Sequence, residues 1–413
     1  MGLGAELRKS RERNGLGLRE VALKAKVTHG YVSQLEREEI AQPAPAVLQK
    51  LAEGYGEPFE LLMRWAGYIE AGNISENQAR ALKFMGDELS DDELKVIRSV
   101  LDAIRARNRA GFAGFESLDG HLSPADITEI RRHAEALLRE ADAHGIAPTP
   151  LEELLRVSKL VAANEIYLDV EERNSLRAKF GSLVDHVLTR LQGVVHFRSR
   201  EVWINPDANT LRRRFVTSHE VGHNLLPWHR DIFAYLDDNE RLRPDIAVRY
   251  EREANQVAIE LLAQGDRLRA EADDSELTFQ LISELAARYE ISLQATARRV
   301  VEESKRECAL VMAFKGPITG RLMPPHVYCS QAFEARFGWR SEFNRDPKIT
   351  QTLEQPTTTI EIPFATADLG GNPTFLRREV WDTLRAKLVL FVAPRRRVLR
   401  LNFSRAEAEW RTA

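Results

Sequence analysis

His219, Glu220 and His223 stand in an HExxH string, His219-Glu220-Val221-Gly222-His223. Histidines at i and i+4 share one face of a helix, so their imidazole nitrogens can converge on a single Zn2+. The glutamate between them is placed to take a proton from water activated at such an ion. A hydrolytic zinc site uses three protein ligands and keeps a fourth position open. The third ligand is therefore sought in Tyr250-Glu251-Arg252-Glu253-Ala254-Asn255-Gln256-Val257-Ala258-Ile259-Glu260-Leu261-Leu262, whose apolar positions 254, 257, 258, 261 and 262 follow a helical spacing. Glu251 and Glu253 lie near its start, two residues apart, and so point in different directions. Glu253, beside Ala254 on the buried stripe, is the expected ligand and Glu251 the alternative. His229, six residues beyond His223, is expected to be plain surface, with an oxyanion helper or a group behind the ligands as the sharper readings.

The elements that must position these groups are legible around them. Val202-Trp203-Ile204-Asn205 reads as a strand, and Arg214 to His223 as the helix that follows it. With Glu253-Ala254-Asn255 through Leu261-Leu262 and the later Ile291-Ser292-Leu293-Gln294-Ala295 with Arg298-Arg299, these blocks resemble the ImmA/IrrE family of zinc metallopeptidases over roughly residues 130 to 305. Val257 departs from the phenylalanine more usual there, a matter of packing. The resemblance implies a peptidase that cleaves a transcriptional repressor and so switches on stress, phage or mobile-element genes. It also implies an activating signal such as single-stranded DNA.

The chain's beginning carries a second signal. Short amphipathic segments at Leu3–Arg8, Leu18–Ala22 and Thr28–Glu36, followed by Leu48, Leu51, Ala52, Leu61 and Leu62, predict a run of helices, with Thr28 capping the third. Leu18-Arg19-Glu20-Val21-Ala22 and Tyr31-Val32-Ser33-Gln34-Leu35-Glu36-Arg37 resemble the helix-turn-helix domain of the Cro and phage-repressor type, with Glu38 standing where a glycine commonly ends the recognition helix. Such a domain places the N-terminal residues of that helix in the DNA major groove. Thr28, His29, Gly30, Ser33 and Gln34 are then the expected DNA contacts, Gln34 having an amide suited to adenine, while Val32 and Leu35 face inward. Residues 1–70 hold ten Lys/Arg and ten Glu. Between residues 8 and 26, however, Arg8, Lys9, Arg11, Arg13, Arg19, Lys24 and Lys26 face only Glu12 and Glu20. That stripe is expected to meet phosphates, with Glu36, Glu38 and Glu39 turned away. A single neutral head binds weakly, so a homodimer is expected.

The rest of the chain bounds the class of protein. A length of 413 residues implies two to four domains, and a net charge of −3 argues against a polyanion-coating protein. No run spans a bilayer, Met1 to Lys9 lacks a signal-peptide core, and two cysteines, Cys308 and Cys329, make no disulfide framework. A cytoplasmic home without membrane contact is expected. Ser90 to Arg107 predicts a helix, Ala110-Gly111-Phe112-Ala113-Gly114-Phe115 a hinge that frees the head, and Ser123-Pro124-Ala125-Asp126 the next helix start. Cys308–Phe314 and Leu388–Ala393 predict buried strands, and Thr357–Ile362 and Val398–Phe403 alternating ones; Arg395-Arg396-Arg397 reads as a solvated turn.

The expected fold is thus multidomain. It has an all-α helix-turn-helix head (1–70), a helical linker (71–122), a mainly α, α+β zincin-like metallopeptidase domain (123–305) and a C-terminal α+β domain with a small sheet (306–413). The expected function is a zinc endopeptidase joined to a DNA-binding head, acting on a repressor protein or on itself. The alternative is a DNA-binding regulator whose peptidase-like domain is only a sensor.

Overall fold

The structure is a computed structural model that describes residues 2–40, 42–71, 110–112, 122–163, 193–196, 200–206, 208–235, 240–242, 244–315, 321–323, 325–338, 364–367, 373–383 and 386–394, with isolated positions between them. The molecule is multidomain and mostly helical, with small sheets. It divides into two compact units, Met1–Leu268 with Ala287–Ser292, and Arg269–Ala286 with Leu293–Ala413.

The first unit begins with helices α1 (Leu3–Arg13), α2 (Leu18–Lys24), α3 (His29–Glu36), α4 (Pro45–Tyr55) and α5 (Phe59–Trp65). Leu7, Val21, Val32, Leu35, Leu48, Leu51 and Leu62 are buried between them. Gly54 lets α4 lie close on the end of α2, since a Cβ there would stand 2.7 Å from the Ala25 Cβ. Thr28 caps α3 as expected, its hydroxyl accepting from the Tyr31 N–H at 3.2 Å. Glu38 adopts φ +60°, so the loop keeps the left-handed turn that a glycine takes more readily.

Strands β1 (Ile69–Ala71) and β2 (Ala110–Phe112) follow, then α6 (Pro124–Glu140), α7 (Leu151–Val157), β3 (Val161–Ala163), β4 (Gly193–His196), β5 (Glu201–Ile204), α8 (Thr210–Leu225), α9 (Pro227–Tyr235), β6 (Glu240–Leu242) and α10 (Pro244–Ala263). Ser123 opens α6 in a capping box with Asp126. The sheet runs β2-β4-β5-β3, with β4 antiparallel to both neighbours and β3 parallel to β5. Ala110–Phe112, expected as part of a hinge, is thus an edge strand paired with β4 in the register Gly111↔Val195. The expected helix at 90–107 lies outside the described residues.

The head does not hang free, contrary to the expectation of separate movement. Helices α4 and α5 pack on α9, and Gln49 donates to the Asp231 carboxylate at 2.9 Å. Lys50 pairs with Glu129 at 3.4 Å, and β1 runs antiparallel to β6. Leu51, Tyr55 and Leu62 of the head share one continuous apolar cluster with Trp228, Tyr250, Val257 and Leu261.

The second unit contains α12 (Phe279–Tyr289) up to Ala286, α13 (Leu293–Glu303) and α14 (Gln331–Phe337), α11 (Arg267–Asp274) preceding them. Its antiparallel sheet is ordered β8-β7-β11-β10-β9, from β7 (Cys308–Phe314), β8 (His326–Cys329), β9 (Phe364–Ala367), β10 (Pro373–Asp382) and β11 (Ala386–Val392). The two apolar runs seen in the sequence become the buried neighbours β7 and β11. Cys308 is buried in β7, and burial pushes its thiol up to about 11, as befits a small core residue. Thr357–Ile362, Arg395–Arg397 and Val398–Phe403 lie outside the described residues. Among the described residues no helix is long and apolar enough to cross a membrane.

Candidate metal centre

Helix α8 starts at Asn209, whose side chain accepts from the Arg212 N–H at 3.0 Å, and ends before Pro227, which opens α9. The helix packs on α10 and against β2, β4 and β5. Gly222 sets how closely α8 meets α10: a Cβ there would lie 3.0 Å from the Val257 Cβ and 3.1 Å from the Ala254 carbonyl oxygen. That approach brings the start of α10 within reach of the HExxH histidines.

His219 and His223 are fully buried, with their Nε2 atoms 3.1 Å apart. The carboxylate that meets them is that of Glu251. Its Oε2 lies 3.3 Å from His219 Nε2 and its Oε1 3.5 Å from His223 Nε2. These three residues place a ligand atom each within 4.8 Å of one another. Two nitrogens at ordinary zinc distances and a tetrahedral angle stand roughly 3.3 Å apart, so the observed edges suit one small cation.

Glu253, the expected ligand, is elsewhere. It is 1 % exposed and accepts three hydrogen bonds, from Trp228 Nε1 at 2.6 Å, Arg249 Nε at 2.7 Å and, with the proton on Nε2, His229 at 2.9 Å. Glu253 is the more buried carboxylate of the two, but a ligand must face the α8 histidines. Glu251, with a side chain 23 % exposed, faces them. A signal was available: Asn255 lies one helical turn after Glu251, hence on its face, and the Asn255 Oδ1 is 2.9 Å from His219 Nδ1. His229 is likewise not a surface residue; it is fully buried, stacked on Tyr250 with ring centroids 4.1 Å apart.

Electrostatics separate the carboxylates. Burial opposes ionisation of Glu251, but the charge of His223 and hydrogen bonds from both imidazoles overcome it and hold the group down to about 2. Burial would lower His219, yet Glu251 and Glu220 raise it. Glu220 is fully buried and pushed up to about 8 by desolvation, with His219 and the nearby Val195 N–H pulling the other way. Among the described residues neither carboxylate oxygen has a partner that meets ordinary hydrogen-bond geometry. Gly193 of β4 lies against it, since a Cβ there would stand 2.9 Å from Glu220 Oε1. A buried carboxyl left without a partner costs free energy, and here it borders a cluster with metal-ligand chemistry.

The head presents a different surface. Thr28, His29, Gly30 and Gln34 are exposed on α3 and Ser33 is half-buried, while Val32 and Leu35 are buried as expected. The basic stripe is largely committed within the molecule. Arg8 and Arg11 pair with Glu36, Arg13 with Glu57, Lys9 with Glu6 and Lys24 with Glu20. Glu36 therefore turns inward, not away.

Comparison with known proteins agrees with this division. The profile described as helix-turn-helix domain matches residues 2–65, and that of peptidase family M78, the IrrE N-terminal-like domain, matches residues 175–301. The HTH-type transcriptional repressor RghR of Bacillus subtilis (strain 168) is 39 % identical over 67 residues, 16 % of this chain, and the chain spans about half the length of that protein. A solved structure titled Mycobacterium tuberculosis transcriptional regulator aligns with 64 % of this chain and 76 % of its own at 12 % identity, with a TM-score of 0.39.

Proposed function

We propose that this chain, which joins an N-terminal helix-turn-helix domain to an IrrE N-terminal-like, metallopeptidase-like domain, is a zinc-dependent endopeptidase of zincin-like fold. It regulates stress, phage or mobile-element genes by cleaving a repressor or itself. The observation that carries the reading is the pairing of a three-residue cluster, His219, His223 and Glu251, with the buried carboxyl of Glu220, which has no hydrogen-bond partner among the described residues. A zinc ion held there supplies a Lewis acid for the scissile carbonyl and brings the pKa of water toward neutrality. Glu220 accepts the proton of the attacking water at a carboxylate oxygen and returns it to the leaving amine nitrogen. Asn255 orients His219 from its Nδ1 side. The walls of α8, α10 and β4 keep bulk water from the Glu220 carboxyl, which is 0 % exposed.

Cleavage in cis has its own support. Ala110–Phe112 lies antiparallel on β4, the strand bordering Glu220, in the manner of an extended peptide added to a sheet. A second reading, DNA-binding regulation without proteolysis, is favoured by the capped, exposed face of α3 and by the repressor relative of the head. In both readings Thr28, His29, Gly30, Ser33 and Gln34 meet DNA, the protein works in the cytoplasm, and a homodimer supplies the second DNA contact.

Zinc-loaded wild type and Glu220→Gln, incubated with single-stranded DNA and candidate repressors and read by intact mass, test the proposal. Fragments from wild type alone support the peptidase and locate the scissile bond. Equal fragments from both contradict the role of Glu220, and no fragments with intact operator binding favour the second reading.

A further inference from the structure

Behind the ligand cluster lies a chain of buried polar groups that the proposed chemistry does not use. His223 Nδ1 is 3.1 Å from His229 Nδ1, and His229 Nε2 is 2.9 Å from Glu253 Oε2. The same oxygen accepts from Trp228 Nε1, and the other accepts from Arg249, which also pairs with Asp126 of the α6 capping box at 2.8 Å. His223, His229 and Glu253 are at most 1 % exposed.

A His223 that ligates through Nε2 sets the direction of the bonds along this chain. An imidazole offering its Nε2 lone pair to a cation carries its proton on Nδ1. That proton needs an acceptor, so His229 Nδ1 must be bare. Neutral His229 then carries its proton on Nε2 and donates it to Glu253, which as a carboxylate accepts from His229, Trp228 and Arg249. Tyr250, stacked on the His229 ring and bonded through its hydroxyl to the Trp228 carbonyl at 3.1 Å, prevents the ring from turning.

We infer that His229, anchored by Glu253, is a positioning residue that fixes the tautomer and orientation of His223 and thereby sets how tightly the centre holds zinc. The inference rests on the reading of His219, His223 and Glu251 as zinc ligands. Partners of this kind are worth about 10–100-fold in metal affinity. His229→Leu removes the acceptor and keeps the apolar packing; His229→Asn keeps an oxygen near the Nδ1 position.

The test is zinc affinity by chelator competition, with the absorption spectrum of the cobalt-substituted protein, for wild type, both His229 variants and Glu251→Gln. Expected are a ten- to hundredfold loss for His229→Leu, at least partial recovery in His229→Asn, and a cobalt spectrum still of four-coordinate type in both. Wild-type affinity in His229→Leu overturns the inference, as does equal loss in both variants when their thermal unfolding matches wild type. Should His229→Leu fail to fold, Glu253→Gln, which weakens the anchor of His229, decides: a loss of zinc affinity with wild-type thermal unfolding supports the role, and wild-type affinity overturns it. Wild-type affinity in Glu251→Gln instead removes the underlying ligand assignment, a separable outcome.

Discussion

Two buried glutamates in the same compact unit make a contrast. Glu36 in the head is surrounded by donors: Arg11 reaches it through two nitrogens, at 2.7 and 2.8 Å, Arg8 approaches at 3.7 Å, and the Tyr55 hydroxyl donates at 3.0 Å. Glu220, equally buried, has no hydrogen-bond partner for either oxygen among the described residues. Folding alone accounts for the first, since a buried ion that is paired and bonded is tolerated. It does not account for the second, whose unmet oxygens adjoin three groups arranged as metal ligands. The partner count, rather than the burial, separates the two, and on the proposed function it separates a structural carboxylate from a working one.

Substitutions should part the two glutamates sharply. Glu220→Gln should cut peptide hydrolysis by about 10²–10⁴-fold, the usual worth of a general base, while zinc content and thermal unfolding stay at the wild-type level. Retained hydrolysis would break the contrast. Glu36→Ala should do the reverse, leaving the partly buried Arg11 and the buried Tyr55 hydroxyl without their acceptor and lowering stability by about 1–3 kcal/mol. Chemical denaturation measures this, and zinc affinity of the folded fraction should not change. Gly222→Ala tests the approach of α8 to α10 and should cost about 1–3 kcal/mol as the helices are forced apart, with weaker zinc binding, because Glu251 retreats from both histidines.

A smaller effect distinguishes the glutamates by pH. In the metal-free chain the Glu220 carboxyl stands at about 8, above its unfolded value, so between the ordinary carboxylate range and 8 the native state binds the extra proton. Stability of the metal-free chain should therefore fall as pH rises through that window, and Glu220→Gln should flatten the slope. Zinc must also displace the proton of His219, whose affinity for it is raised, so zinc binding should strengthen as pH rises, with proton release measurable by calorimetry in buffers of different ionisation enthalpy. A pH-independent zinc affinity would contradict the assignment.

Local signals were legible in the sequence and long-range ones were not. The i, i+4 histidines, the Thr28 and Ser123 caps, the inward Val32 and Leu35 and the runs that become β7 and β11 all depend on spacing within a few residues. Choosing Glu251 over Glu253 needed the direction from which α10 meets α8, which the close approach at Gly222 decides. His229 reads as an ordinary polar residue until Tyr250 and Glu253, from another helix, are placed around it. The Arg8 and Arg11 stripe looked free because its partner, Glu36, follows 28 and 25 residues later. The docking of the head on α9 depends on Asp231, 182 residues after Gln49, and no local pattern announces it.

The most direct test of the metal centre is the metal content of the purified chain by native mass spectrometry, for wild type, Glu220→Gln, Glu251→Gln and Glu253→Gln. One zinc per chain is expected in wild type and in Glu220→Gln, none retained after mild chelation in Glu251→Gln, and a weakened but occupied site in Glu253→Gln. A wild-type chain that takes up no zinc, or a Glu251→Gln chain that keeps it while Glu253→Gln loses it, would contradict the site described.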